Sequence, residues 1–164
     1  MKRLVILGGG ESGIGAALLG KLKKYNVFLS DSGKITNNYK DVLINNEIEW
    51  EDGGHTESEI LTADLVVKSP GIPDHLTIVQ KLQYATIPVV SEIEFAALNT
   101  TANIIGITGS NGKTTTTMMV YHILKHAGLD VAMGGNIGES FAEQVLTETA
   151  NYVLELSSFQ LDGI

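Results

Sequence analysis

Phosphate chemistry is what the residue types suggest first. The segment Gly106-Ile107-Thr108-Gly109-Ser110-Asn111-Gly112-Lys113-Thr114-Thr115 is a glycine loop that closes on a lysine and threonines. Apolar Ile104, Ile105 and Ile107 lead into it and a helical pattern leaves it. Strand, glycine loop and helix in that order form a phosphate cradle. Gly109 and Gly112 let the backbone turn its N–H groups inward, Lys113 reaches terminal phosphates, and the Thr114 hydroxyl suits Mg²⁺. Ile107 stands where the strict pattern has its first glycine, and an ordinary glycine turn is the competing reading. The run Thr114–Thr117 is a poor helix start unless it serves a ligand.

A second phosphate turn, Gly8-x-Gly10-x-x-Gly13, follows the apolar run Leu4–Leu7 and opens a helix. Asp31 ends the next strand, where a carboxylate meets a ribose hydroxyl. Alone, this fingerprint points to NAD or FAD; the same turn also holds other diphosphates. Glu11 inside the turn must point outward to tolerate a pyrophosphate, and Ser12 is the better donor. Glu155 interrupts the apolar strand Tyr152–Leu156. A buried carboxylate there needs a partner, and a Mg²⁺ beside Thr114 would be one. The alternative is an edge-strand glutamate facing water. Asn136, in the glycine turn Gly134–Gly138, could reach the same metal or a substrate oxygen, or could simply be a turn asparagine. Ser157 and Ser158 have no nucleophile elbow and no His–acid partner, so they read as hydrogen-bonding or helix-capping serines. His122 and His126 are four apart on a helix, but Lys125 between them disfavours a metal; a solvated pair is expected.

These residues need elements to hold them. Strands are expected at Leu4–Leu7, Val27–Ser30, Ile48–Trp50, Ala63–Lys68 and Ile87–Val90. Helices are expected where Ile14, Ala17, Leu18 and Leu22 recur, over Ile35–Asn46, and through Ile78, Leu82 and Ala85. Glu51–Gly54 reads as a turn. Past the polar patch Asn99–Thr101, the phosphate-loop strand leads to a helix with the stripe Val120, Ile123, Leu124 and Ala127, capped by Gly128. A strand at Asp130–Met133, a helix around Ser140–Thr147 and the strand Tyr152–Leu156 complete the pattern. Strands alternating with helices predict an α/β protein: a Rossmann-like parallel-sheet domain over 1–98, then the first part of a P-loop-type ATPase α/β domain over 99–164. Three strands are few for such a sheet, which suggests an amino-terminal piece with an apolar edge, a loose second half and a tendency to self-associate.

Composition narrows the function classes. The chain has 164 residues, 43% hydrophobic, with 11 Lys and Arg against 19 Asp and Glu and a net charge of −8. That balance argues against a nucleic-acid surface. The absence of cysteine excludes disulfides and thiolate metal sites. Leu4–Leu7 is too short for a signal h-region and no run is long enough to span a membrane, so a cytoplasmic protein is expected.

Taken together, Gly109-Ser-Asn-Gly-Lys-Thr114, Gly134-Gly-Asn-Ile-Gly138 and Leu154-Glu-Leu-Ser-Ser-Phe-Gln-Leu161 resemble the Mur ligase family, ATP-dependent amide-forming enzymes of peptidoglycan precursor synthesis. Gly8–Gly13, Asp31 and Ser69-Pro-Gly-Ile72 resemble the uridine-nucleotide domain of its D-glutamate-adding branch. The resemblance implies that the first turn grips UDP rather than NAD. It places Gly10, Ser12, Gly13, Asp31, Ser32 and Gly71 around UDP-N-acetylmuramoyl-L-alanine, with Asn136 and Ser157 on the muramoyl side. Gly109, Ser110, Asn111, Gly112, Lys113, Thr114 and Thr115 would hold ATP, and Thr114 and Glu155 would bind Mg²⁺. Lys113, Asn136 and Glu155 are the implied catalytic set, and D-glutamate the second substrate. Gly33 stands where the family often has a basic residue, with Lys34 as a substitute. Family members are much longer; a carbamylated lysine, a metal-binding histidine and a D-glutamate-binding domain lie beyond these residues. The implied full-length enzyme is monomeric, and residues 1–164 are expected to bind UDP substrate without turnover. An NAD(P)-binding oxidoreductase or sensor module is the alternative, followed by a non-catalytic nucleotide-binding module. A folylpolyglutamate-synthetase-like ligase would share the phosphate loop without the leading domain.

Overall fold

The computed structural model describes residues 1–161. Its first half is β1 (Arg3–Leu7), α1 (Glu11–Leu22), β2 (Asn26–Asp31), α2 (Asn37–Asn45), β3 (Glu49–Asp52), α3 (Glu57–Ile60), β4 (Leu65–Lys68), α4 (Thr77–Tyr84), β5 (Val89–Ser91) and α5 (Glu92–Ala97). The second half is β6 (Asn103–Ile107), α6 (Lys113–His126), β7 (Val131–Gly135), α7 (Phe141–Gln144), β8 (Asn151–Glu155) and α8 (Ser158–Leu161).

The first five strands form a parallel sheet in the order β3-β2-β1-β4-β5. β1 lies at its centre, so Leu4, Val5, Ile6 and Leu7 are all fully buried, as an uninterrupted apolar run in a parallel strand requires. The order reverses between β1 and β4, and a crevice opens beyond the carboxyl ends of such strands. The second sheet, also parallel, has the order β6-β8-β7, with β8 paired on both sides.

One apolar cluster runs through both halves. It includes Leu4, Ile6 and Leu19 of the first with Phe141, Tyr152 and Leu154 of the second. Phe141 meets Tyr152 edge-on at 5.1 Å, and Tyr25 meets Phe95 at 6.1 Å. Gly15 on α1 makes the approach of α7 possible, since a Cβ there would lie 2.2 Å from Ser140 Oγ.

Several local expectations are corrected. The expected turn at Glu51-Asp52 is strand: both residues pair with β2 and the turn begins at Gly53. α3 and α5 were not anticipated, being short and acidic, without room for a helical period. α5 starts from a Ser91 cap that accepts from the Glu94 N–H at 3.0 Å. The helix expected around Ser140–Thr147 is a single turn. α6 ends as expected, with Gly128 left-handed (φ +80°) and the Leu129 and Gly128 N–H groups donating to the Leu124 and Lys125 carbonyls. Its apolar stripe, however, does not reach a core: Thr117 is its one buried residue and Ile123 is 60% exposed. β6, which α6 follows, is an edge strand; Ile104 on it and Met118 and Met119 on α6 are exposed.

Candidate functional site

The carboxyl ends of β6, β7 and β8 converge on the phosphate loop. Gly112 takes φ +73°, a conformation that a side chain disfavours, and so starts α6 with its N–H groups free of any side-chain cap. Lys113 folds back, its Nζ donating to the Gly109 carbonyl at 2.9 Å. Thr114 Oγ1 donates to Glu155 Oε2 at 2.8 Å, and Asn136 Nδ2 lies 3.4 Å from Glu155 Oε1. The Asn136 N–H also donates to the Glu155 carbonyl at 2.8 Å. Close passage here demands a glycine at 135, where a Cβ would lie 2.4 Å from the Glu155 carbonyl oxygen. Ser110 through Thr115, Asn136 and Glu155 line one open hollow.

Glu155 is 3% exposed and sits on the central strand. The water-facing edge glutamate is thereby overturned: β8 has neighbours on both sides. Its carboxylate beside the Thr114 hydroxyl gives two hard oxygen donors at the loop. Among the described residues no cluster of three acidic or imidazole side chains could cage a metal. Two oxygens with phosphate nearby fit Mg²⁺, which keeps most of its waters and uses few protein ligands. His122 and His126 are exposed on α6, away from this hollow.

The other glycine turn sits at the carboxyl ends of β1, β2 and β4. Gly13 packs so closely that a Cβ would fall 1.9 Å from the Gly8 carbonyl oxygen. Gly8, at φ +102°, donates its N–H to Ser30 O at 2.9 Å and abuts Ser69. The N-cap of α1 is Gly10, which has no side chain to satisfy the helix start, and Ser12 is half-buried in the first turn. An anion is the natural partner of such an end. Asp31 braces the turn: Oδ2 accepts from the Gly9 N–H and Oδ1 from the Gly33 N–H at 2.7 Å. Ser32, Lys34, Gly71 and Glu11 are exposed, so the one carboxylate bonded to the turn among the described residues is that of Asp31.

Ser157 caps α8. Its hydroxyl accepts from the Gln160 N–H at 3.3 Å while its own N–H donates to Gln160 Oε1 at 2.8 Å, a reciprocal capping box.

Two polar features escaped the sequence reading. Ser30, fully buried, donates to Glu51 Oε1 at 2.7 Å and lies 2.6 Å from His55 Nδ1. Burial pushes the Glu51 carboxyl up, but hydrogen bonds from Thr56 and Ser30 outweigh it and hold the group below its ordinary range. The second is Glu92, 4% exposed, whose Oε1 accepts from the Ala142 N–H. The sole sequence signal for it was the Ser91-x-x-Glu94 capping pattern beside it.

Comparison with known proteins agrees with both halves. Residues 3–78 match the family model for the MurD N-terminal domain, and residues 107–163 match that for the Mur ligase middle domain. The chain belongs to the Mur ligase family. The UDP-N-acetylmuramoylalanine--D-glutamate ligase of Christiangramia forsetii is 60% identical over 99% of the chain, and that of Bacteroides fragilis is 55% identical over all of it. The chain spans 37% of the length of each of these relatives. Among solved structures, a pseudomurein peptide ligase type C from Methanothermus fervidus is 30% identical, with a TM-score of 0.58 over 96% of the chain and 33% of its own. The UDP-N-acetylmuramate:L-alanyl-gamma-D-glutamyl-meso-diaminopimelate ligase from Neisseria meningitides has a TM-score of 0.64 at 22% identity, covers 94% of the chain and 52% of its own length, and bears on the fold alone. The Mur ligase match over both halves displaces the oxidoreductase alternative. Among the described residues no helix is long and apolar enough to cross a membrane.

Proposed function

We propose that this chain is the part of an ATP-dependent ligase that carries UDP-N-acetylmuramoyl-L-alanine and presents its carboxylate to ATP for coupling to D-glutamate in the cytoplasm. Residues 1–98 form the substrate-nucleotide unit and residues 99–164 begin the ATP unit. The observation that carries this reading is the meeting of Thr114, Glu155 and Asn136 at the phosphate loop, in a chain with a second phosphate turn on its first sheet.

Gly10, Ser12 and Gly13 receive the diphosphate at the start of α1, and Asp31 with Ser32 the uridine end; Gly71 closes the same pocket. Gly109, Ser110, Asn111, Gly112 and Thr115 wrap the ATP phosphates with backbone N–H groups. Lys113 leaves the Gly109 carbonyl for the terminal phosphates. Thr114 and Glu155 hold Mg²⁺, which offsets charge on the phosphates when bound. The substrate carboxylate attacks the γ-phosphorus and ADP leaves; the amine of D-glutamate then displaces phosphate from the acyl phosphate. Fixed donors from the loop and Lys113 stabilise charge on the transferring group. Asn136 and Ser157 orient the muramoyl side, and no protein nucleophile takes part. Residues 1–164 by themselves bind the UDP substrate without turnover and self-associate through the exposed β6–α6 face, whereas the longer enzyme is monomeric.

The test is binding of a fluorescent ATP analogue to residues 1–164 with and without Mg²⁺. Lys113→Ala and Glu155→Gln should each weaken Mg²⁺-dependent binding at least about tenfold, the loss of one charge-assisted contact. Unchanged affinity in both variants would reject the assignment of this loop.

A further inference from the structure

The two ligand-bearing halves must hold a fixed relation if a substrate gripped by one is to meet phosphates gripped by the other. The seam between them is built by three helices. α7 starts directly after the Gly134–Gly138 turn that carries Asn136, so whatever fixes α7 fixes that turn. Its first-turn N–H groups are satisfied from two sides. Ser140 Oγ accepts from the Glu143 N–H at 3.3 Å, within the second half. The Ala142 N–H donates instead to Glu92 Oε1, across the seam and 50 residues away in sequence. On the other flank, Gly15 of α1 lets Ser140 approach; it lies just past the Gly10–Gly13 turn. The seam thus joins the diphosphate turn, through α1, to the Asn136 turn, through α7, with Glu92 as the one cross-half carboxyl bond among the described residues.

We infer that Glu92 is a positioning residue: its carboxyl group, docked on the start of α7 from the first half, holds the Asn136 turn and the phosphate loop in register with the diphosphate turn. Its burial fits this and makes little sense otherwise, because a carboxylate is costly to bury without a donor. The charged groups around it are Glu11 on α1, Glu139 just before α7 and Glu143 on it, Glu94 on its own helix, and Lys68 with Asp74 across the cleft that Glu92 lines. Lys68 is already engaged, at 2.9 Å, with Asp74. Burial first, and Glu11 in addition, push the Glu92 carboxyl up to about 7 despite the Ala142 bond. The docked state therefore binds a proton more tightly than an undocked one, and the dock loosens as pH rises through 7. From pH 6 to pH 8 the undocking constant grows about tenfold by linkage.

The distance between the halves is the direct readout. The chain lacks cysteine, so a spin-label pair at Tyr84→Cys and Met119→Cys, 94% and 58% exposed, reports one inter-half distance. At pH 6 the parent should give a single narrow distribution. Glu92→Ala should broaden or shift it, and Glu92→Gln, which keeps an acceptor without charge, should restore it and hold it narrow at pH 8. A parent-like distribution in Glu92→Ala at both pH values would overturn the inference. If Glu92→Ala does not fold, parent and Glu92→Gln decide: broadening from pH 6 to 8 in the parent alone supports it, and an identical pH response in both overturns it. No ligand enters this measurement, so it stands or falls independently of the ligase reading; the consequence for turnover rests on that reading.

Discussion

The buried carboxyl of Glu92 makes folding stability depend on pH with a sign opposite to that of most carboxylates. Its ordinary value of 4.5 is raised to about 7 in the folded chain, chiefly by burial. The folded state then holds the proton more tightly than the unfolded state, so this contribution is full below pH 4.5, falls as the pH climbs, and is gone above 7. At about 1.36 kcal/mol per tenfold change, the loss between pH 5 and pH 8 is about 2.5 kcal/mol. Glu143 is raised in the same direction, by burial and by Glu139 and Glu11, while Asp52 is lowered by its bond to Lys40, so the raw pH profile mixes opposing groups. Subtracting the profile of Glu92→Gln isolates the residue. Denaturant unfolding of both proteins at pH 5, 6, 7 and 8 should show the Gln variant gaining on the parent by about 2.5 kcal/mol across the range. Parallel profiles, or a variant that loses ground as pH rises, would refute the reasoning.

Other consequences are sharper locally. Thr114→Ala removes the hydroxyl bonded to buried Glu155 and should cost about 1 kcal/mol of stability by denaturant unfolding, together with most of the Mg²⁺ dependence of nucleotide binding. Gly13→Ala should destabilise by at least about 2 kcal/mol in the same assay, since its Cβ would overlap the Gly8 carbonyl. Gly10→Ala, with nothing within 4 Å of its Cβ, should fold normally. Ser157→Ala should cost about 1 kcal/mol through the lost cap of α8, yet leave turnover in the longer enzyme, measured as ADP release, far above that of a nucleophile knockout.

The parts of the fold legible in the sequence are those where one segment carries its own explanation. Leu4–Leu7 is apolar throughout because β1 is covered on both faces, and Gly8, Gly10 and Gly13 follow it at the spacing that a strand-to-helix phosphate turn needs. Glu155 stood out because a carboxylate broke an apolar run, and its strand is central. Glu92 had no such contrast: between Ser91 and Glu94 it reads as an ordinary acidic first turn of a helix, and its burial arises from α7, far away in sequence. The Ser30–Glu51–His55 group was hidden likewise, since strand pairing brings Glu51 opposite Ser30. α6 failed in the reverse sense. Its periodic stripe was real, but β6 is an edge, so periodicity found no core to face. Local pattern reports an element's type; burial depends on what the rest of the chain brings to it.

The first glycine turn is proposed to carry a uridine nucleotide substrate and not a dinucleotide cofactor. Calorimetric titration of residues 1–164 with UDP-N-acetylmuramoyl-L-alanine, and separately with NADH, tests it most directly. The expected result is saturable binding of the UDP compound, lost in Asp31→Ala, and no heat with NADH. Saturable NADH binding with none for the UDP compound would contradict it.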